Sequence, residues 1–175
     1  ERTAIEMADH AELLAYSGMR RDEALASTVA DDRGDEFKIW GTKSATSERT
    51  IPVNPALRQV LDRIKSRRSD PTSKLCLFYE PRIAVRRACK RLGLPALRNH
   101  DFRHYFASVC IASGVDVPSV SRWLGHADGG ALLMRTYGHL MKDASQAAAA
   151  KVDFSSANST TATNILGTSC LPLTD

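Results

Sequence analysis

Residues 99–140 read NHDFRHYFASVCIASGVDVPSVSRWLGHADGGALLMRTYGHL. Phe102, Phe106, Val109 and Cys110 recur at helical spacing, so a helix is predicted over 100–113 with these four buried. Gly114 stops it, and Val117, Val120 and Leu124 mark a second helix over 117–124. The Gly129-Gly130 pair then opens a loop into a short helix carrying Tyr137. On the first helix His100 and Arg103 stand three apart and project from one face, roughly opposite Phe102.

Working outward, the flanking sequence is also mostly helical. Over residues 3–17, Met7, Ala11 and Leu14 define an inner face, with Thr3 as N-cap, Glu6 completing a capping box and Gly18 as a left-handed stop. Residues 54–68 begin with Asn54 as cap and Pro55 at the first helical position; Leu57, Val60, Leu61 and Ile64 face inward. Another helix over about 81–92 turns Val85, Cys89 and Leu92 inward, and an Ala-rich helix lies near 141–152. Three short runs (25–30, 37–41 and 49–53), separated by the turn-rich DDRGDE and TKSATSE, predict a small three-stranded antiparallel sheet. The expected class is mainly α with that small sheet (α+β). Residues 1–152 form one domain. A Ser/Thr-rich tail, 153–175, is expected to be flexible or to dock in cis or in trans.

Charge is unevenly spread. Residues 1–36 hold 4 basic and 10 acidic residues, and residues 37–104 hold 16 basic and 5 acidic. A basic middle segment points to a polyanionic partner, most often nucleic acid, or else to a solvated charged surface. The exposed side of residues 54–68 carries Arg58, Arg63, Lys65, Arg67 and Arg68, and the 81–92 helix presents Arg82, Arg86, Arg87, Lys90 and Arg91 as a candidate DNA-binding face. Cys76, Cys89, Cys110 and Cys170 have no CxxC spacing. Neither a disulfide framework nor a zinc site is expected, which fits a reducing, cytoplasmic setting. No apolar run reaches the roughly 18 residues of a membrane span, so no membrane partner is expected. The N-terminus has no signal-peptide pattern. The chain begins without Met and in mid-pattern, so an upstream domain is expected to precede it.

Several residues can carry chemistry together that none would suggest alone. Arg20 follows a helix-ending glycine, Lys43 sits near a hairpin tip, and His100, Arg103, His126 and Tyr137 lie in the opening stretch. Two arginines can bracket the non-bridging oxygens of a phosphodiester and offset charge developing in the transition state. A tyrosine hydroxyl, with an ordinary pKa near 10, becomes a covalent nucleophile in a cationic site. A mobile lysine can protonate a leaving oxygen, and two histidines can donate hydrogen bonds or move a proton. No carboxylate cluster suggests Mg²⁺ and no Gly-rich loop suggests ATP. The chemistry expected is therefore phosphoryl transfer without metal or other cofactor.

Four motifs, YSGMRRDEAL (16–25), GTKSATSERTIPV (41–53), HDFRHYFAS (100–108) and WLGHADGGALLMRTYGHL (123–140), occur in one order across residues 4 to about 150. Together they resemble the catalytic domain of the tyrosine recombinases of the phage integrase family. The resemblance implies that Arg20 and Arg103 clamp the scissile phosphate, with Glu23 supporting the first. It implies that Lys43 is the general acid to the leaving 5′ oxygen, although Lys38 lies close and hairpin registers slip. His100 becomes an acid or base, His126 a hydrogen-bond donor to the phosphate, and Tyr137 the nucleophile forming a 3′-phosphotyrosyl link. The His126–Tyr137 interval is two residues longer than the family's commonest spacing, a difference that Gly129-Gly130 can absorb. Tyr105, next to the HxxR pair, is the competing tyrosine. His10, His104 and His139 are assigned no part.

The resemblance implies site-specific cleavage and rejoining of double-stranded DNA, as in integration or excision, with self-association as dimer or tetramer on DNA. Two other functions remain open on the residues. ASGVDVPSVSRWLGH (112–126) imitates a helix-turn-helix, so a non-enzymatic regulator is one. A type IB topoisomerase, which shares the chemistry, is the other.

Overall fold

The computed structural model describes residues 2–41, 48–77, 82–138 and 149–150. Helices α1 (Arg2–Ser17) and α2 (Arg21–Ala26) come first. Strands β1 (Glu36–Ile39) and β2 (Arg49–Pro52) follow, then α3 (Pro55–Lys65), α4 (Arg82–Arg91), α5 (Asn99–Ala112), α6 (Val117–Leu124) and α7 (Ala131–Tyr137). The class is mainly α with a small antiparallel sheet, as the sequence predicts. Lys43, His139, most of the 141–152 helix and the 153–175 tail lie outside the described residues.

Among the described residues the sheet has two strands, paired Glu36↔Pro52, Phe37↔Ile51, Lys38↔Thr50 and Ile39↔Arg49. The third expected strand, 25–30, instead finishes α2 and forms a 3₁₀ turn over Val29–Asp31. Asp31 explains the turn: its carboxylate accepts from the Thr28 backbone N–H at 2.7 Å and satisfies that end locally. The run touches its neighbours only through isolated bridges, Thr28 to Lys74 and Asp32 to Phe37.

Two hydrophobic clusters organise the described residues. The first joins Leu13, Leu14 and Met19 to Phe37, Ile39 and Ile51 of the sheet and to Leu57, Val60, Leu61 and Ile64 of α3. The Asn54 side chain caps α3, accepting from the Leu57 N–H at 2.9 Å, and all four expected α3 positions are buried. Each such side chain contributes roughly 1.5–3 kcal/mol by leaving water. The second cluster joins Phe106, Ala107 and Ile111 of α5 to Val117, Val120 and Leu124 of α6 and to Leu133 and Tyr137 of α7. Trp123 packs against both clusters.

Three inner faces differ from expectation. On α1 the helix already runs through Thr3, and the buried positions are Glu6, Asp9, His10, Leu13, Leu14 and Ser17, whereas Met7 and Ala11 are half-buried. The reason is electrostatic. Arg63 contacts Asp9 at 2.7 Å and also Glu12, Arg67 contacts Asp9 and Glu6, and Arg68 contacts Glu6. Arg58 and Lys65 meet Asp32 at 2.8 and 2.9 Å. The basic residues expected as an open surface on and after α3 thus neutralise the acidic N-terminal third internally. On α5, Val109 is exposed and Cys110 and Phe102 are half-buried, while Arg103 and Ile111 turn inward. On α4 only Cys89 is fully buried, and Leu92 is 71% exposed.

Candidate active site

The cleft is built where the ends of α1 and α6 meet α5. Helix α1 stops at Gly18, whose φ of +65° suits glycine, and Phe106 and Leu124 press so closely that a Cβ there would lie 2.5 and 2.9 Å from them. That approach lets the Gly18 carbonyl accept from Arg103 at 2.7 Å. Helix α6 is capped at its start by Asp116, which accepts from the Ser119 N–H at 2.8 Å, and at its end by Gly125 in the left-handed conformation.

Three guanidiniums then converge on three successive carbonyls of the last α6 turn. Arg49 donates from Nε to Trp123 at 2.6 Å, Arg103 from Nη2 to Leu124, and Arg20 from Nη2 to Gly125 at 3.5 Å. These carbonyls carry the negative end of the helix dipole and have no partner within the helix. One carboxylate completes the set. Glu23, buried on α2, receives both Nη groups of Arg49 at 2.9 Å, Arg20 Nη1 at 2.9 Å and the Arg20 backbone N–H at 2.7 Å.

Tyr137 arrives from the other side. Gly129 and Gly130, with φ of +64° and +101°, turn the chain after His126, and Asp128 caps the turn by accepting from the Gly130 and Leu132 N–H groups. Gly130 also passes so close to Val117 that a Cβ would come within 2.7 Å. Helix α7 therefore packs on α6 and buries Tyr137 at its last position. The Tyr137 hydroxyl makes a short hydrogen bond with Nδ1 of His104. The His100 ring stands edge-on to His104, with centroids 4.4 Å apart.

Two adjoining hollows share this floor. One, of about 220 Å³, is lined by His100, Arg103, His104, His126 and Tyr137 among others; the second, of about 240 Å³, is lined by Arg20, Arg21, His100 and Arg103. Five of the six expected catalytic residues thus meet in one cleft, with Glu23 behind Arg20. Lys43 lies outside the described residues. Lys38 is occupied elsewhere, paired with Glu48 and 4.8 Å above the Trp40 ring. Tyr105 lines a separate groove with Tyr16, Val53 and Trp123.

The charges in the cleft are poised. Burial first, and then the nearby Arg20 and Arg49, push the Arg103 guanidinium below its ordinary pKa, though it remains a cation at neutral pH. Burial, followed by neighbouring positive groups, lowers His100 and His126 and favours their neutral forms. The Tyr137 phenol is raised by burial and eased back by Arg103, so it stays protonated. Among the described residues no group of three or more His, Cys, Asp and Glu side chains is placed to hold a metal.

Residues 2–143 match the Phage integrase family. The chain belongs to that family. Among its relatives, the tyrosine recombinase XerC of Herpetosiphon aurantiacus is 30% identical over 130 residues, 66% of this chain and 42% of that protein. The present chain thus spans less than half of that relative's length. The fold is that of the catalytic domain of bacteriophage HP1 integrase (TM-score 0.63, 19% identity, covering 89% of this chain and 95% of that one). It is shared by the Tn1549 transposon integrase, solved in complex with transposon right end DNA (TM-score 0.62, 18% identity, covering 82% of this chain and 58% of that one).

Two residues of this phage integrase cleft, Arg49 and His104, lie within the quoted motifs but receive no role from the sequence. Arg49 shares a strand face with the buried Ile51, two residues on, and that period of two is the signal that would have turned it inward. His104 lies four residues after His100, which places both on one face of α5. The helix-turn-helix look of 112–126 also finds its explanation. The α6 face bearing Val117, Val120, Ser121 and Leu124 is buried, and the end of α6 anchors the arginines rather than being free for a groove.

Proposed function

We propose that this chain cleaves and rejoins double-stranded DNA at defined sites through a covalent 3′-phosphotyrosyl intermediate on Tyr137. The observation that carries the reading is a charge imbalance. Among the described residues three guanidiniums, Arg20, Arg49 and Arg103, stand with one carboxylate, Glu23, beside a buried tyrosine hydroxyl. A phosphodiester brings one negative charge, and the five-coordinate transition state develops a second. An environment of fixed cations favours the transition state over the ground state.

In this reading Arg20 and Arg103 hold the non-bridging oxygens, Glu23 fixes Arg20, and His100 and His126 supply hydrogen bonds from the floor of the cleft. The Tyr137 oxygen attacks phosphorus as its proton is removed; the bond to the 5′ oxygen breaks, and that oxygen takes a proton from Lys43. Transfer conserves the energy of the phosphodiester, so a 5′-hydroxyl of another strand can reverse the step without ATP. The guanidiniums provide the charge stabilisation that a metal would otherwise give.

DNA as substrate is supported by the family and by the DNA-bound Tn1549 integrase. The exposed residues Arg86, Arg87, Lys90 and Arg91 of α4, which have no ion-pair partner among the described residues, offer a basic surface for its backbone. Self-association on DNA follows from the need to pair two duplexes.

The test is incubation with nicked suicide duplexes drawn from the junctions that flank the gene, followed by denaturing electrophoresis. The wild-type chain should form a covalent protein–DNA adduct. Tyr137→Phe should bind DNA equally and form none, whereas Tyr105→Phe should form it normally. An undiminished adduct with Tyr137→Phe refutes the assignment. Adducts spread over unrelated sequences, with relaxation of supercoils, would indicate a topoisomerase.

A further inference from the structure

Although the resemblance makes His100 an acid or base, among the described residues it makes no hydrogen bond to the Tyr137 hydroxyl, which must lose a proton. We infer that His104 accepts it: its Nδ1 touches the Tyr137 hydroxyl, and it is the side chain among the described residues that does so. This rests on Tyr137 being the nucleophile.

The geometry separates His104 from the other two histidines. His100 and His126 share the cleft with Arg103, but neither makes a hydrogen bond to the Tyr137 oxygen among the described residues. His126 Nδ1 is buried without a hydrogen-bond partner, so it does not meet the phenol. His100 faces both hollows and stands edge-on against His104, so it limits how that ring can turn. Helix spacing fixes the arrangement, because positions four apart share a face and the ring at 104 is brought under the end of α7.

Chemistry gives the contact its direction. Burial keeps the phenol protonated, so attack on phosphorus requires an acceptor at the hydroxyl. A neutral imidazole with its own proton on Nε2 presents a lone pair at Nδ1. As the Tyr137 oxygen bonds to phosphorus, its proton moves to Nδ1 and the phosphorus–O5′ bond breaks, with the departing oxygen protonated by the general acid. His104, then an imidazolium, returns the proton to the phenol oxygen when the incoming 5′-hydroxyl reverses the reaction. A base so placed supplies roughly 10²–10⁴-fold in rate.

The experiment measures adduct formation by the whole chain on two suicide duplexes, one with the ordinary 5′-bridging oxygen and one with sulfur there, a leaving group needing no protonation. His104→Ala should slow adduct formation by about 100-fold or more on both substrates, keep DNA binding, and recover in part when imidazole is added. His104→Gln tests whether filling the space suffices and should stay slow. A wild-type rate in His104→Ala would overturn the inference. So would restoration by the sulfur substrate, which would assign His104 to the leaving group, or a loss that neither sulfur nor imidazole moves. Absence of any adduct from the wild-type chain, by contrast, would overturn the phosphotyrosyl reading itself.

Discussion

Replacing Arg49 with alanine should destabilise the protein and make the Glu23 contribution to stability grow on acidification. In the wild-type chain burial alone would raise the Glu23 carboxyl. The hydrogen bonds and charge of Arg49, with smaller help from Arg20, outweigh burial and hold it below its ordinary value. A carboxylate with a depressed folded-state pKa stabilises the fold above its unfolded pKa and loses that contribution as pH falls through the folded value. Between pH 7 and 5 the wild-type stability contribution from Glu23 is therefore flat. Without Arg49 the 1%-exposed Glu23 keeps the partly exposed Arg20 as its ion-pair partner among the described residues, and burial becomes the larger effect. The folded pKa then rises above the unfolded one, so the variant binds a proton on folding and gains stability as pH drops from 7 towards 5.

The size follows from the burial. Removing one partner of a buried ion pair costs about 3–5 kcal/mol, and the remaining Arg20 contacts argue for the lower end, about 3 kcal/mol. With a urea slope of about 2 kcal/mol per molar, the midpoint at pH 7 should fall by roughly 1.5 M. Urea unfolding of wild type, Arg49→Ala and the Arg49→Met/Glu23→Gln double variant, at pH 7 and 5, measures all of this. The double variant should recover part of the loss because it removes the stranded charge. A loss below about 1 kcal/mol at pH 7, or a midpoint in Arg49→Ala that does not rise on acidification relative to wild type, would refute the account of how Glu23 is held.

Gly18→Ala places a side chain in the left-handed region and within 2.5 Å of the Phe106 ring, so together these should cost about 2–5 kcal/mol. Gly34→Ala, with φ of +89° and open space around it, should cost about 1–2 kcal/mol, and comparing the two thermal melts isolates the steric part. Changing Arg86, Arg87, Lys90 and Arg91 together to glutamine should weaken DNA binding. It should also flatten the dependence of log K on log salt by about 0.9 for each phosphate that is no longer neutralised. The urea midpoint should stay nearly unchanged. An unaltered salt slope would remove α4 from the DNA-facing surface.

Most of the fold is legible in the sequence because its strongest signals are local. Asn54-Pro55 starts α3, Gly18 ends α1 and Gly125 ends α6, and in each case backbone requirements and side-chain identity agree. The sequence misleads where a pairing between distant segments overrides amphipathic spacing. Met7 and Ala11 have the spacing of an inner face, but Glu6 and Asp9 are buried instead because Arg63, Arg67 and Arg68 approach from more than 50 residues away. Arg49 stays hidden for the same reason: its partners are 26 and 74 residues distant. His104 is within reach of local reasoning. Its spacing from His100 places it on the same face, but only the packing of α7 shows what that face meets.

The way the arginines are held bears on why the cleft can serve an anion at all. A buried guanidinium needs acceptors, and the commonest solution, a carboxylate for each, would leave no charge to spare. Here carbonyls do most of that work. Arg103 is satisfied by Gly18 and Leu124, at the C-terminal ends of two helices, and Arg20 and Arg49 share a single carboxylate while each also reaches an α6 carbonyl. A helix end carries only about half a negative charge, so it orients a cation without cancelling it. The eight-residue α6 is too short to persist alone in water. It is kept by Val117, Val120 and Leu124 in the second core and by caps at both ends. The packing of an otherwise ordinary helix thereby concentrates positive charge beside Tyr137, and the Gly125 cap sets where that charge sits.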